Sequence, residues 1–246
     1  MYSNDSRKES AIKKALLESA IKFSGQCGTI LIGANLTLVK GKHWGMASTL
    51  NEGPAYSNFI DSSGDLQKLE IQEILQKLFS PHLIENSLAM AALNSVINTS
   101  AEIEKSDAFR EIEKQAKNKN VVVVGHFPFV ERLKAISAAC YVFERKPHDG
   151  DLPEQEMPKY LPQADVLVLT GQVITNNCFD KIVKQAPQAY KIILGPSTPL
   201  SPVLFDFGID VIGGVQITDP EQVYLQIAQG EHFKHLNGIQ KVVLVK

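Results

Sequence analysis

The chain has 246 residues, 44% of them hydrophobic and 21% charged, with a net charge of −2. Those proportions are ordinary for a globular protein and argue against disorder, while the balanced charge, with no basic stripe, leaves a nucleic-acid role without an electrostatic footprint. The polar start MYSNDSRKES lacks the apolar core of a signal peptide, no apolar run reaches the length of a membrane span, and three widely spaced cysteines suit neither a disulfide framework nor a CxxC zinc site.

The first periodic segment covers residues 6–23, with Ile12, Leu16, Ala20 and Phe23 on one helical face and Lys and Glu on the other. Short β-like runs come next at 29–32, 36–39 and 46–50, punctuated by Gly33, Gly41 and Gly45, and predict a small antiparallel meander. Helical patterns at 65–79 and 83–97 complete an α+β unit. The polar stretch 98–106 reads as a boundary, dividing the chain into domains 1–105 and 106–246. Beyond it, apolar strands are predicted at 121–124, 140–144, 166–170, 191–194, 211–215 and 242–245. Helices at 129–136, 176–185, 203–207 and 220–229 lie between them. Short, continuously apolar strands separated by helices predict a parallel sheet covered on both faces, a Rossmann-like α/β domain.

Ligands of such sheets bind outside the carboxyl ends of the strands. The residues just beyond each strand are therefore informative, and Gly, Pro and small polar residues collect there in four loops. Gly125-His126-Phe127-Pro128 comes after the first strand; it lacks the second and third glycines of a GxGxxG loop, which disfavours a standard dinucleotide site. His126 could be a hydrogen-bonded loop residue or a ligand contact. Glu144 lies 19 residues after Gly125, where nucleotide folds place a ribose-binding carboxylate, although a solvated charge also fits. His148, Asp149 and Asp151 are candidate metal ligands on a Pro- and Gly-bounded loop, where solvated side chains are the commoner outcome. Thr170-Gly171 ends the third strand, and Asn176 offers an amide beyond what capping needs. In the 195–202 loop (GPSTPLSP), three prolines, Pro196 first, stiffen the backbone after Gly195, while Ser197, Thr198 and Ser201 supply hydroxyls and the backbone supplies N–H donors to a polar or anionic ligand. In the N-terminal half, Asn35 is either a turn residue or a residue facing the second domain. Trp44 reads as a core aromatic near a hairpin.

The blocks VGHFPFV (124–130), FERKPHDGDLP (143–153), ADVLVLTGQVITN (164–176) and GPSTPLSPVLFDFGIDVIGG (195–214) resemble the heavy-metal chelation family DUF364. The segments GTILIGANLTLVKG (28–41) and HWGMAST (43–49) resemble its N-terminal companion, DUF4213. The resemblance implies an enolase N-terminal-like α+β domain followed by a Rossmann-like parallel α/β domain, with a site built from both. It also implies a role in heavy-metal chelation, or in condensation or hydrolysis steps of pterin-, flavin- or siderophore-like chelator metabolism. Expected catalytic residues are His126, Glu144 and Asp151. Expected ligand contacts are Asn35, Gly125, Phe127, Thr170, Gly171, Asn176, Gly195, Pro196, Ser197 and Thr198. The cofactor stays open, with a metal ion or metal chelate as the candidate the family implies. A non-catalytic metal or chelate binder and an S-adenosylmethionine-dependent methyltransferase are the alternatives. The expected setting is cytoplasmic, with a small-molecule ligand, no nucleic acid or membrane partner, and self-association an open option.

Overall fold

The computed structural model describes residues 10–20, 23–51, 59–97, 102–145 and 147–246. The predicted first helix is α1 (Ala11–Ala20), which buries Ile12, Leu16 and Ala20 as its periodicity requires; residues 6–9 and 21–22 of the prediction lie outside the described residues. Three antiparallel strands come next in the order β1 (Ile30–Ile32), β2 (Leu36–Lys40), β3 (Trp44–Ser48). The third begins two residues earlier than the sequence suggests, with Leu38 opposite Met46. The meander is buried on both faces. Leu36, Leu38 and Met46 pack on Val223, Ile227 and Leu236 near the chain's end. Val39 and Ala47 point the other way, into the main core, as the two-residue period of a strand dictates.

The predicted helix at 65–79 is broken. Only α2 (Ile71–Gln76) is α-helical, between two 3-10 turns. Glu70 is held extended because it pairs with Gln26, and Ile71 N–H donates to the Gly25 carbonyl. A helix restarts behind it through a capping box between Glu70 and Glu73. The next helix, α3 (Leu83–Asn94), lies directly on β3. A Cβ on Gly45 would sit 2.3 Å from the Ala91 carbonyl oxygen and from the Ser95 amide nitrogen, so only glycine permits this approach.

The second sheet has six strands: β4 (Asn120–Val124), β5 (Ala139–Phe143), β6 (Val166–Thr170), β7 (Tyr190–Leu194), β8 (Val211–Ile217) and β9 (Ile239–Val245). Their order is β5-β4-β6-β7-β8-β9. The first five run parallel, but β9 is antiparallel to β8, which corrects the expectation of a purely parallel sheet. The chain returns to the end of the sheet it left: Thr218 and Asp219 N–H both donate to the Gly238 carbonyl. A strand starting beside the finish of its neighbour can only run backwards.

Alternate strand residues feed the two faces. Val121, Val123, Val166, Val168 and Ile192 pack under α4 (Phe109–Ala116) and α5 (Val130–Ile136). Val122, Leu167, Leu169 and Ile193 face α6 (Met157–Tyr160), α8 (Phe179–Gln185) and α9 (Val203–Asp206). That second face is completed by α1 and α3 from the N-terminal half, in one continuous core. The remaining helices are α7 (Gln172–Thr175) and α10 (Pro220–Ala228). The predicted 176–185 helix is α8, which starts only at Phe179, because Asn177 takes a left-handed φ of 63°; the short α7 before it was not foreseen.

Lys13 departs most from the sequence reading, which put the lysines of α1 on the solvent side. Its side chain is fully buried, and Nζ donates to the Leu78 carbonyl (2.7 Å), Asn86 Oδ1 (2.8 Å) and the Thr175 carbonyl (3.0 Å). One ammonium therefore joins α1 and α3 to α7. Burial pushes its pKa down to about 7, partly opposed by Cys178 and Asp180.

A candidate ligand-binding cleft between the two halves

The strand order reverses at β4. The chain steps out to β5, then crosses back past β4 to β6, so the loops leaving β4 and β6 diverge and a crevice opens outside their carboxyl ends. Gly125, the first residue after β4, has φ +104°, and a Cβ there would meet the Thr170 side chain at 3.1 Å. The glycine supplies both the backbone conformation and the room for the two loops to touch.

His126 comes next and is exposed at the mouth. Its backbone N–H donates to Glu144 Oε2 (2.9 Å), and Arg145 N–H donates to Glu144 Oε1 (2.7 Å). The Glu144 carboxylate thus ties the end of β5 to the β4 loop. The imidazole Nδ1 lies 3.0 Å from Asp151 Oδ2. The Asp151 side chain is fully screened from solvent, and it also accepts from His148 N–H (2.9 Å). Gly150 (φ +85°) makes the turn, and Leu152 N–H donates to the Val142 carbonyl, which docks the loop along β5 and brings Asp151 behind His126. The His148 ring lies against that of His126, centroids 4.3 Å apart.

Two connected spaces open here. A wide cleft of about 1290 Å³ lies between the halves, with Asn35, Ser48 and Thr49 on one wall and His126, Glu144 and Gly214 on the other. A narrow lobe of about 110 Å³ runs between the β4 loop and α7. Among the sequence-predicted residues, Asn35, His126, Phe127, Glu144, Thr170, Gly195 and Pro196 line the wide cleft, and Gly125 and Asn176 line the lobe. The Asn35 amide is committed to the Gly230 carbonyl (2.7 Å), and Asn176 Oδ1 accepts from Cys178 N–H (3.2 Å).

Three predicted contacts line neither space. Ser197 and Thr198 are buried, and Ser197 Oγ accepts from Ser48 N–H at 2.8 Å. Gly171 is buried against them; a Cβ there would lie 2.6 Å from the Thr198 amide nitrogen. The 195–202 loop therefore presents the Ser197 hydroxyl to the N-terminal half and packs Thr198 on Gly171, and only Gly195 and Pro196 reach the cleft.

The sequence reading passed over several wall residues. Phe127 stacks on Phe129 (5.0 Å), Phe129 on Phe109 (4.6 Å), and the Arg132 guanidinium caps Phe109 at 4.6 Å. Arg145, Lys234 and Lys241 add positive charge against the carboxylates of Asp107 and Glu144. Burial would raise the Asp107 pKa, but hydrogen bonds from Lys241 Nζ (2.8 Å) and Phe109 N–H hold it below the usual range. The EHFKH run (231–235) carried a readable basic and aromatic signal. The Phe109 signal was hidden because α4 was not foreseen.

The residues present do not fit a bare metal ion. Asp151 is spent on His126 and on a backbone N–H, Asp149 is exposed, and no three His, Cys, Asp or Glu side chains converge among the described residues. The described residues hold no disulfide, and Cys27 is buried.

Comparison with known proteins agrees with this architecture. Residues 107–246 match the model of DUF364, described as putative heavy-metal chelation, and residues 16–97 match DUF4213, under the same description. The chain belongs to this family. The uncharacterized protein MJ0500 of Methanocaldococcus jannaschii is 30% identical over 166 residues, and the match spans 64% of each chain. DUF364-family structures from Desulfitobacterium hafniense (TM-score 0.81, 23% identity, 96% of this chain and 98% of that one) and Pyrococcus horikoshii (0.77, 24%, 96% and 99%) share the fold. No helix among the described residues is long and apolar enough to cross a membrane.

Proposed function

We propose that the cleft binds a small, largely anionic molecule and that His126 moves a proton on it, in a condensation or hydrolysis step of chelator metabolism. The observation that carries this reading is the His126–Asp151 pair. A carboxylate screened from solvent accepts from Nδ1, which fixes the ring and its tautomer and leaves Nε2 as the proton acceptor or donor. His126 lines both spaces, so it stands wherever a ligand would enter. The excess of arginine and lysine on the wide cleft supports an anionic ligand. The family description supports chelation as the setting. Because the donor set does not suit a bare ion, a metal would come as part of a chelate.

The test begins with mass spectrometry of small molecules extracted from the purified protein, alongside elemental analysis. Turnover of the recovered molecule is then compared between wild type and His126→Gln. Loss of turnover with retained binding is expected. Unchanged turnover in His126→Gln would remove the acid/base assignment.

A further inference from the structure

We propose that the narrow lobe is a separate subsite for a short nitrogen-bearing group, so that the molecule handled here has two parts with opposite chemistry. This rests on the cleft reading above and extends it to the class of ligand.

The two spaces share His126, Phe127, Glu144, Arg145, Thr170 and Gln172 in their walls, so they meet at that threshold. Beyond it the lobe has an apolar floor of Phe143, Met157, Val173 and Ile182, each at most 4% exposed. Its volume of about 110 Å³ holds on the order of four water-sized groups, which is a tail and not a ring system. The polar rim sets two carboxylates, Glu144 and Glu154, against one guanidinium, Arg145. Both Glu144 oxygens already accept backbone N–H groups. The Glu154 carboxylate, the Gln172 side-chain amide and Asn176 Nδ2 line the same lobe, and none makes a hydrogen bond to another described residue. Glu154 and the Gln172 side-chain carbonyl can accept N–H groups, while Asn176 Nδ2 can only donate, so over the apolar floor this set matches a short alkyl chain ending in an amine or, best, in a primary amide that brings both N–H and C=O. The wide cleft, with Arg132, Lys234 and Lys241, favours the opposite charge. An anionic body in the cleft and an amino tail in the lobe would place the bond that joins them beside His126.

The test tracks the Asn176 and Gln172 side-chain amide signals by nitrogen-15 NMR in the full chain. Three short probes are titrated: n-propylamine, propionamide and butyrate. Propylammonium and propionamide should shift both signals at millimolar concentration, and butyrate should not. Glu154→Gln should weaken propylammonium about fivefold, the scale of a partly exposed ion pair, and leave propionamide unchanged. Shifts from butyrate at equal strength, silence from all three probes, or an indifferent Glu154→Gln would each overturn the proposal. His126→Gln should keep lobe binding, so failure of the acid/base reading and failure of the subsite give different results.

Discussion

Two loops leave the same edge of the parallel sheet, both rich in glycine, proline and small polar residues, and they meet opposite fates. The 195–202 loop is driven inward. Its Ser197 accepts from the Ser48 amide, and Thr198 packs on Gly171. The loop after β4, with the 147–153 turn behind it, stays at the mouth of the cleft and holds His126 against Asp151. The first is a joint between the halves and the second is a working edge. The difference lies in what each hydroxyl, amide or imidazole touches, because a buried hydrogen bond to the backbone of the other half leaves nothing to offer a ligand. Loops at strand ends often carry function, but here composition alone does not separate the two roles.

If this contrast holds, substitutions at the working edge should change chemistry and spare stability, and those at the joint should do the reverse. The largest effect is expected from His126→Gln, a loss of about 10²- to 10⁴-fold in turnover of the recovered ligand, with the melting temperature unmoved in calorimetry. A large fall in melting temperature would make the β4 loop a joint as well. Lys13→Met comes next. It orphans three buried acceptors and should cost about 3 kcal/mol in denaturant unfolding at neutral pH. Lys13 also gives the wild type a pH signature. Its pKa falls from 10.5 in the open chain to about 7 in the fold, so between those values the unfolded chain binds more protons. Its contribution to stability is complete above 10.5 and is lost as pH falls toward 7. The rise in unfolding free energy over that window should be smaller in Lys13→Met than in wild type; an identical rise would place its source elsewhere.

Gly171→Ala should cost about 2 kcal/mol, because the new methyl meets backbone at 2.6 Å; ligand affinity measured calorimetrically on the folded fraction should not change. Ser197→Ala is the mildest, about 1 kcal/mol, or a drop of about 3 °C in melting temperature. If Ser197→Ala weakened ligand binding tenfold at constant stability, the joint assignment would be wrong.

Much of this was readable in the residues. Runs such as VLVLT and KIIL are too short and too β-branched for helices, and they became β6 and β7 with little change at their ends. The strand-end rule led to His126, Glu144 and Asp151, although Asp151 reads there as a metal ligand and not as the partner of His126. What escaped depended on distant partners. The direction of β9 is set by where α10 returns the chain. The break in the 65–79 helix is set by the pairing of Glu70 with Gln26. Lys13 carries a solvent-face signature on α1 and is buried only because Asn86 and two carbonyls wait for it. No local pattern reports the company a residue will keep.

The placement of α1 also bears on how the molecule is made. Ser10 bonds Asp180, Lys13 bonds Thr175, and Asn35 bonds Gly230, so early segments find their partners only after most of the chain has been synthesised. Contacts of such long span slow folding, and the side of the first helix that packs on α8 and α9 stays uncovered meanwhile. During translation that helix would be a natural client for a chaperone. Expression of either half alone should yield aggregates, even though the family models divide the sequence neatly in two.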